Sequence, residues 1–176
     1  MKRLGRIEQA AEMIQERYRE LDYLIRMQMQ RETVETFDLS ELIRDRMEFF
    51  RALYPQVDFS SDLESTSLVL DRIGMRKVVD NLVENAVKYS KEHASVTICL
   101  HEKVLKIEDL GVGMDEMELL RIFDRYYQSD ATMPGYGIGL GLVKSYCDKY
   151  KIKLHVQSEK GVGTTMILDF KDIKGE

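Results

Sequence analysis

Three polar side chains recur at helical spacing in the segment NLVENAVKYS, which begins at Asn81. Asn81, Asn85 and Lys88 are separated by four and three residues, so they share one face of a helix whose other positions are mostly apolar. An amide oxygen beside an ammonium group suits a magnesium ion and the phosphates that it carries. A solvated helix face would show the same spacing, so this motif alone leaves both interpretations open.

A glycine-rich turn, EDLGVGMD, follows a predicted strand. Asp109 ends that strand, and Gly111 and Gly113 allow the backbone to approach a flat ligand closely. A buried carboxylate at this place can accept a hydrogen bond from an exocyclic amine, such as that of adenine. The alternative is an ordinary turn between a strand and a helix.

Two further motifs surround a predicted loop over residues 124–138. RIFDRYYQSD places Phe123 beside Arg125 at the start of the loop, and GYGIGLGL begins at Gly135 near its end. Gly137 and Gly139 of the second motif open a helix whose free N–H groups can bind an anion. The motif is neither a Walker loop, because no Gly-Lys-Ser or Gly-Lys-Thr follows, nor a Rossmann fingerprint, because no parallel βαβ unit surrounds it.

The elements that must position these residues follow from caps and periodicity. Asp38 followed by Glu41 has capping-box spacing and predicts a helix that runs to about Leu53, before Pro55. Asp71 can cap a further helix, and two short helices are expected after the first glycine-rich turn and after the loop. The predicted helices and strands are helices over 72–89, 115–122 and 139–150, and strands over 57–60, 67–70, 96–100, 104–108, 153–157 and 164–170. Strands and helices then form separate layers of an α/β domain.

Residues 1–36 differ from the rest of the chain. Apolar side chains recur there at alternating spacings of three and four, as in a heptad seam, and mostly Arg, Glu and Gln lie between them. A single helix cannot bury this stripe alone. We therefore expect a long helix in a helical bundle or coiled coil, and packing on the chain's own globular domain is the alternative. The apolar members of the seam are Leu4, Ile7, Ala11, Ile14, Tyr18, Leu21 and Ile25.

Composition excludes several classes of protein. Hydrophobic residues make up 44% of the 176 and charged residues 32%, and the formal net charge of -5 does not suit a nucleic-acid binder. No apolar run has the length of a membrane span, and the first residues lack the pattern of a signal peptide. Two isolated cysteines are typical of reduced thiols, so we expect a cytoplasmic domain, with any membrane-anchored sensor part of a full-length protein outside this chain.

Taken in order, the motifs resemble the histidine-kinase branch of the ATP-binding family (GHKL, or Bergerat fold) that includes DNA gyrase, the ninety-kilodalton heat-shock chaperones and the MutL repair proteins. The resemblance covers about residues 37–171, and GVGTTMILDF, which includes Thr164, is similar to the last box of the family. It implies a two-layer α/β sandwich in which three helices back a mixed β-sheet, and it implies ATP and Mg²⁺ as ligands.

The resemblance also implies roles for individual residues. By this resemblance, Asn85 would bind Mg²⁺, Lys88 would lie near phosphate, and Asp109 would accept a hydrogen bond from the adenine amine. Arg125 or Arg121 would supply lid charge, because this chain has Gln128 where many family members have an arginine. The other implied nucleotide contacts are Asn81, Tyr89, Gly111, Gly113, Phe123, Gly135, Gly137, Gly139, Leu140 and Thr164.

The N-terminal segment, residues 1–36, resembles the second helix of the dimerisation and phosphotransfer hairpin of these kinases, with the catalytic domain over 37–176. The phosphoacceptor histidine normally lies on the first helix of that hairpin, and His93, His101 and His155 all fall in the predicted catalytic domain. We therefore expect packing or surface roles for them. The resemblance implies a homodimer that uses its own phosphotransfer helix and passes phosphate to the receiver domain of a response regulator.

One position separates the kinase branch from the hydrolysing branch. ATPases of the family carry a glutamate one helical turn before the magnesium asparagine, and this chain has Asn81 there. Phosphotransfer is thus favoured over hydrolysis. Two alternatives remain: an ATP-binding regulatory switch without phosphotransfer, and a coiled-coil interaction protein whose domain is only structural.

Overall fold

The computed structural model describes residues 33–90, 94–124 and 139–173. The chain divides into two units between Thr33 and Val34, and the described elements all belong to the second. The expected N-terminal helix lies outside the described residues except at its end, so it stays a prediction.

Within these described ranges there are four helices, of which three begin after a capping aspartate and the fourth begins at Gly139. They are α1 (Leu39–Leu53), α2 (Arg72–Lys88), α3 (Glu116–Leu119) and α4 (Gly139–Tyr150). The carboxylates of Asp38 and Asp71 accept the Ser40 and Ile73 N–H groups at 2.7 and 3.1 Å and so begin α1 and α2. Asp115 forms a reciprocal capping box with Glu118, but α3 ends before the predicted residue 122.

In the part of the chain that the structure describes, seven strands form two sheets: β1 (Val34–Asp38), β2 (Asp58–Leu63), β3 (Ser67–Asp71), β4 (Ser95–His101), β5 (Val104–Asp109), β6 (Lys153–Glu159) and β7 (Gly163–Asp169). The larger sheet has the order β2-β4-β5-β7-β6. Only β2 and β4 run parallel, so the sheet is mixed. The predicted β4–β5 hairpin is confirmed, and Glu102 and Lys103 form its turn with φ of 50° and 60°.

Strand β1 is not among the predicted strands. Val34 and Glu35 belong to it rather than to the expected helix, and the predicted boundary at residue 36 falls inside it. It pairs antiparallel with β3, with Phe37 opposite Leu68. The hydrogen bonds between the two strands satisfy backbone N–H and C=O groups that would bond within the segment if it were a helix. Since β3 pairs with β1, it lies outside the larger sheet.

One face of the larger sheet packs against helices. Buried residues alternate along β4, β5 and β7, and α2 packs on β4 and β5 while α4 packs on α2 and β6. The Tyr146 hydroxyl of α4 donates to the Asp71 carbonyl at 2.8 Å, and the Tyr146 ring lies against Gly74, where a Cβ would come within 2.5 Å. The predicted two-layer sandwich with three backing helices, α1, α2 and α4, is confirmed.

Candidate functional site

A pocket opens between α2, the strands β5 and β7, and the first turn of α4. Most of its lining is apolar, which suits a flat ring system, and a few polar groups converge on it. The lining residues are Leu82, Asn85, Ala86, Tyr89, Ile107, Asp109, Val112, Gly113, Met114, Ile122, Leu140, Thr164 and Met166.

Asp109 is the buried carboxylate of this pocket, with 8% of the residue exposed. Its Oδ1 accepts the Gly111 N–H at 2.8 Å. Burial raises the pKa of Asp109, the backbone N–H groups of Gly111 and Thr164 oppose that rise, and the charge of Glu108 adds to it. A carboxylate held in this way is a strong acceptor for a ligand N–H group, since little water competes for it.

The two glycines of the turn are required by close backbone approaches. At Gly111 a Cβ would overlap the Tyr89 carbonyl oxygen. Gly113 has φ +59°, and a Cβ there would overlap the carbonyl oxygen of Glu159. The Val112 N–H also donates to the Tyr89 carbonyl at 3.0 Å. The turn is therefore held against the end of α2 on one side and against β6 on the other.

The polar face of α2 approaches the first residue of α4 at Asn81. Asn81 donates from Nδ2 to the Lys77 carbonyl at 2.8 Å, and a Cβ at Gly139 would overlap Asn81 Oδ1. Asn85, one turn further, lines the pocket. The Lys88 ammonium stands 4.8 Å from the centre of the Tyr89 ring, a cation–π distance.

A row of side chains crosses three strands, beginning in the pocket lining and ending behind it. Asp109 on β5 pairs with Thr164 on β7, and Thr164 pairs with Ser158 on β6, so all three point to one face of the sheet. Ser158 Oγ accepts the Met114 N–H at 2.8 Å, lies 2.9 Å from the Gly163 carbonyl oxygen, and lies 2.9 Å from Thr164 Oγ1. The row links the glycine turn to the pocket wall.

The structure brings most of the predicted site residues together. Asn85, Tyr89, Asp109, Gly113, Leu140 and Thr164 line one pocket; Gly111 and Gly139 contact residues that do, or their helix neighbours. Asn81, Lys88 and Phe123 are not among the lining residues, and Ile122, the neighbour of Phe123, is. The predicted positions Arg125, Gly135 and Gly137 lie outside the described residues.

Most apolar residues of the pocket lining and the Ser158 hydroxyl were not predicted as parts of the site. The sequence pattern identifies Leu82 and Ala86 only as core positions of α2, yet helical spacing places them beside Asn85 on the pocket side. Ile107 and Met166 are paired neighbours on β5 and β7. Ser158 carried no signal, because a serine in a predicted strand is ordinary; only the register of β6 against β7 reveals it.

A sandwich whose helices and sheet enclose an apolar slot, with one buried carboxylate beside two tightly packed glycines, is the architecture of an ATP-binding domain. The sequence profile of the family described as "Histidine kinase-, DNA gyrase B-, and HSP90-like ATPase" matches residues 70–173. The chain belongs to this family.

Two individual proteins to which the chain is similar are sensor histidine kinases. Sensor histidine kinase YvrG of Bacillus subtilis (strain 168) is 31% identical over 122 residues, 65% of this chain and 21% of that protein. Sensor histidine kinase YkoH of the same strain is 27% identical over 149 residues, 81% of this chain and 33% of that protein. The chain thus spans a fifth to a third of these relatives.

Among solved structures, that of the mycobacterial sensor histidine kinase MprB superposes with a TM-score of 0.70 at 27% identity, over 77% of this chain and 95% of that one. The match covers nearly all of that structure, so the described fold corresponds to almost the whole of it. Among the helices described, none combines the length and apolar character needed to cross a bilayer.

Proposed function

We propose that this chain is the catalytic part of a two-component sensor histidine kinase and that it transfers the γ-phosphoryl group of ATP to a histidine on a separate phosphotransfer helix. The observation that carries the proposal is that Asp109 and Asn85 line the same pocket. The Asp109 carboxylate offers a hydrogen-bond acceptor for adenine, and the Asn85 amide offers an oxygen suited to the metal that accompanies the phosphates.

The residues present fit Mg²⁺, because an amide oxygen at Asn85 together with phosphate oxygens forms the hard-oxygen ligand set that this ion prefers. Bound there, the ion would neutralise charge on the phosphates. Lys88 can leave the Tyr89 ring, which it contacts at a cation–π distance, and approach phosphate. In the transfer, a bond forms from imidazole nitrogen to the γ-phosphorus as the bond to the β,γ-bridging oxygen breaks, and ADP leaves.

The acceptor is proposed to come from outside this domain. His101 lies at the end of β4, where Nε2 is 2.9 Å from Asp62, and His155 is an exposed residue of β6. Neither belongs to a helix that could be presented to the pocket. His93 lies outside the described residues. Phosphoryl transfer needs an in-line nucleophile, so a histidine fixed on a strand beyond the pocket is a poor acceptor.

Incubation with γ-labelled ATP tests the proposal. The chain alone should bind ATP and carry no acid-labile label, whereas a chain fused to a helix that presents His followed by an acidic residue should be labelled on that histidine. Asn85→Ala should abolish labelling by removing the proposed metal ligand. Gln157→Ala, which removes an exposed amide from β6, is the matched control and should label normally.

Two outcomes would contradict the proposal. Acid-labile label on the chain alone would overturn the missing acceptor, and undiminished labelling of the fused Asn85→Ala chain would overturn the metal role. Tight ATP binding without any labelling of the fused chain would favour the regulatory-switch alternative.

The partners are proposed on the same basis. A kinase of this kind would act as a homodimer through the heptad seam of residues 4–28 and would pass its phosphate to an aspartate of a receiver domain. Sedimentation of the chain with and without Leu21→Glu would test the first point, because a charge in the heptad seam should dissociate the dimer.

A further inference from the structure

The three hydrogen bonds at Ser158 allow only one placement of protons that satisfies them all. A backbone N–H can only donate, so Met114 donates to Ser158 Oγ; a carbonyl oxygen can only accept, so Ser158 gives its single proton to Gly163. Ser158 then has no proton left for Thr164. The contact of 2.9 Å between the two hydroxyls must therefore be made by the Thr164 proton.

Thr164 lines the pocket, so this arrangement has a consequence for any ligand there. With its proton directed at Ser158, the Thr164 hydroxyl has only lone pairs left for a ligand. Asp109, its neighbour across the β5–β7 pair, also presents an acceptor. The polar wall formed by these two residues accepts hydrogen bonds and offers none.

We propose that Ser158, which lies behind Thr164 on the neighbouring strand, is a positioning residue that sets the purine selectivity of the pocket by holding the Thr164 hydroxyl as an acceptor. The inference rests on the proposed nucleotide site. A 6-aminopurine brings a donor to this wall, whereas a 6-oxopurine brings a carbonyl oxygen that meets two acceptors and finds no proton. An acceptor-only wall thus favours adenine over hypoxanthine or guanine.

Removing the Ser158 hydroxyl frees the Thr164 proton. In Ser158→Ala the Thr164 hydroxyl can rotate and donate into the pocket, so a 6-oxopurine gains a hydrogen bond that the native pocket denies it. One neutral hydrogen bond corresponds to about three- to tenfold in affinity. The loss of the acceptor for Met114 loosens the glycine turn for both nucleotides alike, so the ratio of affinities isolates the proton effect.

The experiment is calorimetric titration of the chain with ATP and with inosine triphosphate, which differ at the C6 edge. The native chain should prefer ATP, and Ser158→Ala should reduce that preference about three- to tenfold. Ser158→Thr, which keeps a hydroxyl, should restore it. In a Thr164→Val background Ser158→Ala should leave the ratio unchanged, because the group through which Ser158 acts is gone.

The chain offers a matched control at another pair of hydroxyls. Ser60 Oγ and Thr97 Oγ1 are also 2.9 Å apart across neighbouring strands, but they are exposed and lie outside the pocket lining, so Ser60→Ala should leave the ratio as it is. If Ser158→Ala does not fold, Ser158→Cys replaces the hydroxyl with a weakly bonding thiol of similar shape and should lower the ratio in the same direction.

The outcomes separate this inference from the proposed function. An unchanged ratio in Ser158→Ala or Ser158→Cys, with native preference for ATP, overturns the role of Ser158 and leaves the nucleotide site intact. A reduced ratio that persists in the Thr164→Val background overturns the route through Thr164. A native chain that binds neither nucleotide overturns the nucleotide site and this inference together.

Discussion

The Asp109 carboxylate accepts the Gly111 N–H at 2.8 Å, so one side chain both fixes the glycine turn and faces the pocket. A carboxylate has two oxygens and several lone pairs, and the bond to Gly111 occupies only one direction on Oδ1. The turn and the specificity of the pocket therefore depend on the same residue.

Substitutions at Asp109 should separate these two roles. Asp109→Ala removes a charged hydrogen bond worth about 1.5–3 kcal/mol, and ATP affinity should fall roughly ten- to a hundredfold. In Asp109→Asn the amide oxygen can still accept from Gly111 while its NH₂ group faces the pocket as a donor, so ATP should bind more weakly and inosine triphosphate more tightly. Calorimetry with both nucleotides measures this. Asp58→Asn, at the exposed start of β2, is the control; an unaltered ATP preference in Asp109→Asn would count against the adenine contact.

Two glycines with positive φ should respond differently to alanine. Gly161, with φ +86°, has open space where a Cβ would lie, so Gly161→Ala should cost only the left-handed backbone penalty of about 1–2 kcal/mol. Gly113→Ala adds a clash with the Glu159 carbonyl oxygen to the same penalty and should destabilise the protein more. Urea unfolding of both variants makes the comparison, and equal losses would show that the turn can move away from β6.

Acid should weaken the start of α1 through Asp38. Burial alone would raise the pKa of Asp38, but hydrogen bonds from Ser65, Ser40 and Thr66 outweigh it and lower the pKa to about 2. A folded-state pKa below the unfolded value means that this stabilisation is present above about pH 4 and is lost as the pH falls towards 2.

The cap can be measured by substitution. Asp38→Ala should reduce the free energy of unfolding by about 0.5–2 kcal/mol at neutral pH and by much less near pH 2. Asp45→Ala removes an exposed carboxylate from the same helix and serves as the control. Denaturant unfolding at several pH values gives the result, and a pH-independent difference between Asp38→Ala and the native chain would contradict it.

The hydroxyl of Tyr146 should contribute to the attachment of α4. Tyr146→Phe keeps the buried ring against Gly74 but removes the donor to the Asp71 carbonyl, so unfolding should become easier by about 0.5–1.5 kcal/mol. Tyr54→Phe, at the half-buried end of α1, is the comparison. Thermal unfolding of both variants checks the expectation; equal melting temperatures for Tyr146→Phe and the native chain would refute it.

Elements with local signals were predictable. Asp38 and Asp71 cap the helices that their positions predicted, and the β4–β5 hairpin turns at Glu102 and Lys103 as expected. Such features depend on neighbours within a few residues, so the sequence displays them directly. Strand β1 has no such local signal, because Phe37 is its only buried residue and its partner β3 is distant in sequence.

Site residues that belong to sequence motifs were predictable, whereas those that reach the site only through strand pairing were not. Asp109 and the two glycines follow from the order of strand and turn. Ile122 lines the pocket and its neighbour Phe123 does not, a difference that no local sequence signal reveals. Ser158 depends on strand register, which arises from pairing across the whole sheet.

The parallel pairing of β2 with β4 has a kinetic consequence. The hairpins β4–β5 and β6–β7 join strands that are close in sequence, whereas Ser60 meets Thr97 from 37 residues away. Closing that longer loop costs chain entropy before any contact offsets it. We expect the hairpins to form early and the edge strand β2 to join after the rate-limiting step, so substitutions in β2 should accelerate unfolding while leaving the refolding rate nearly unchanged.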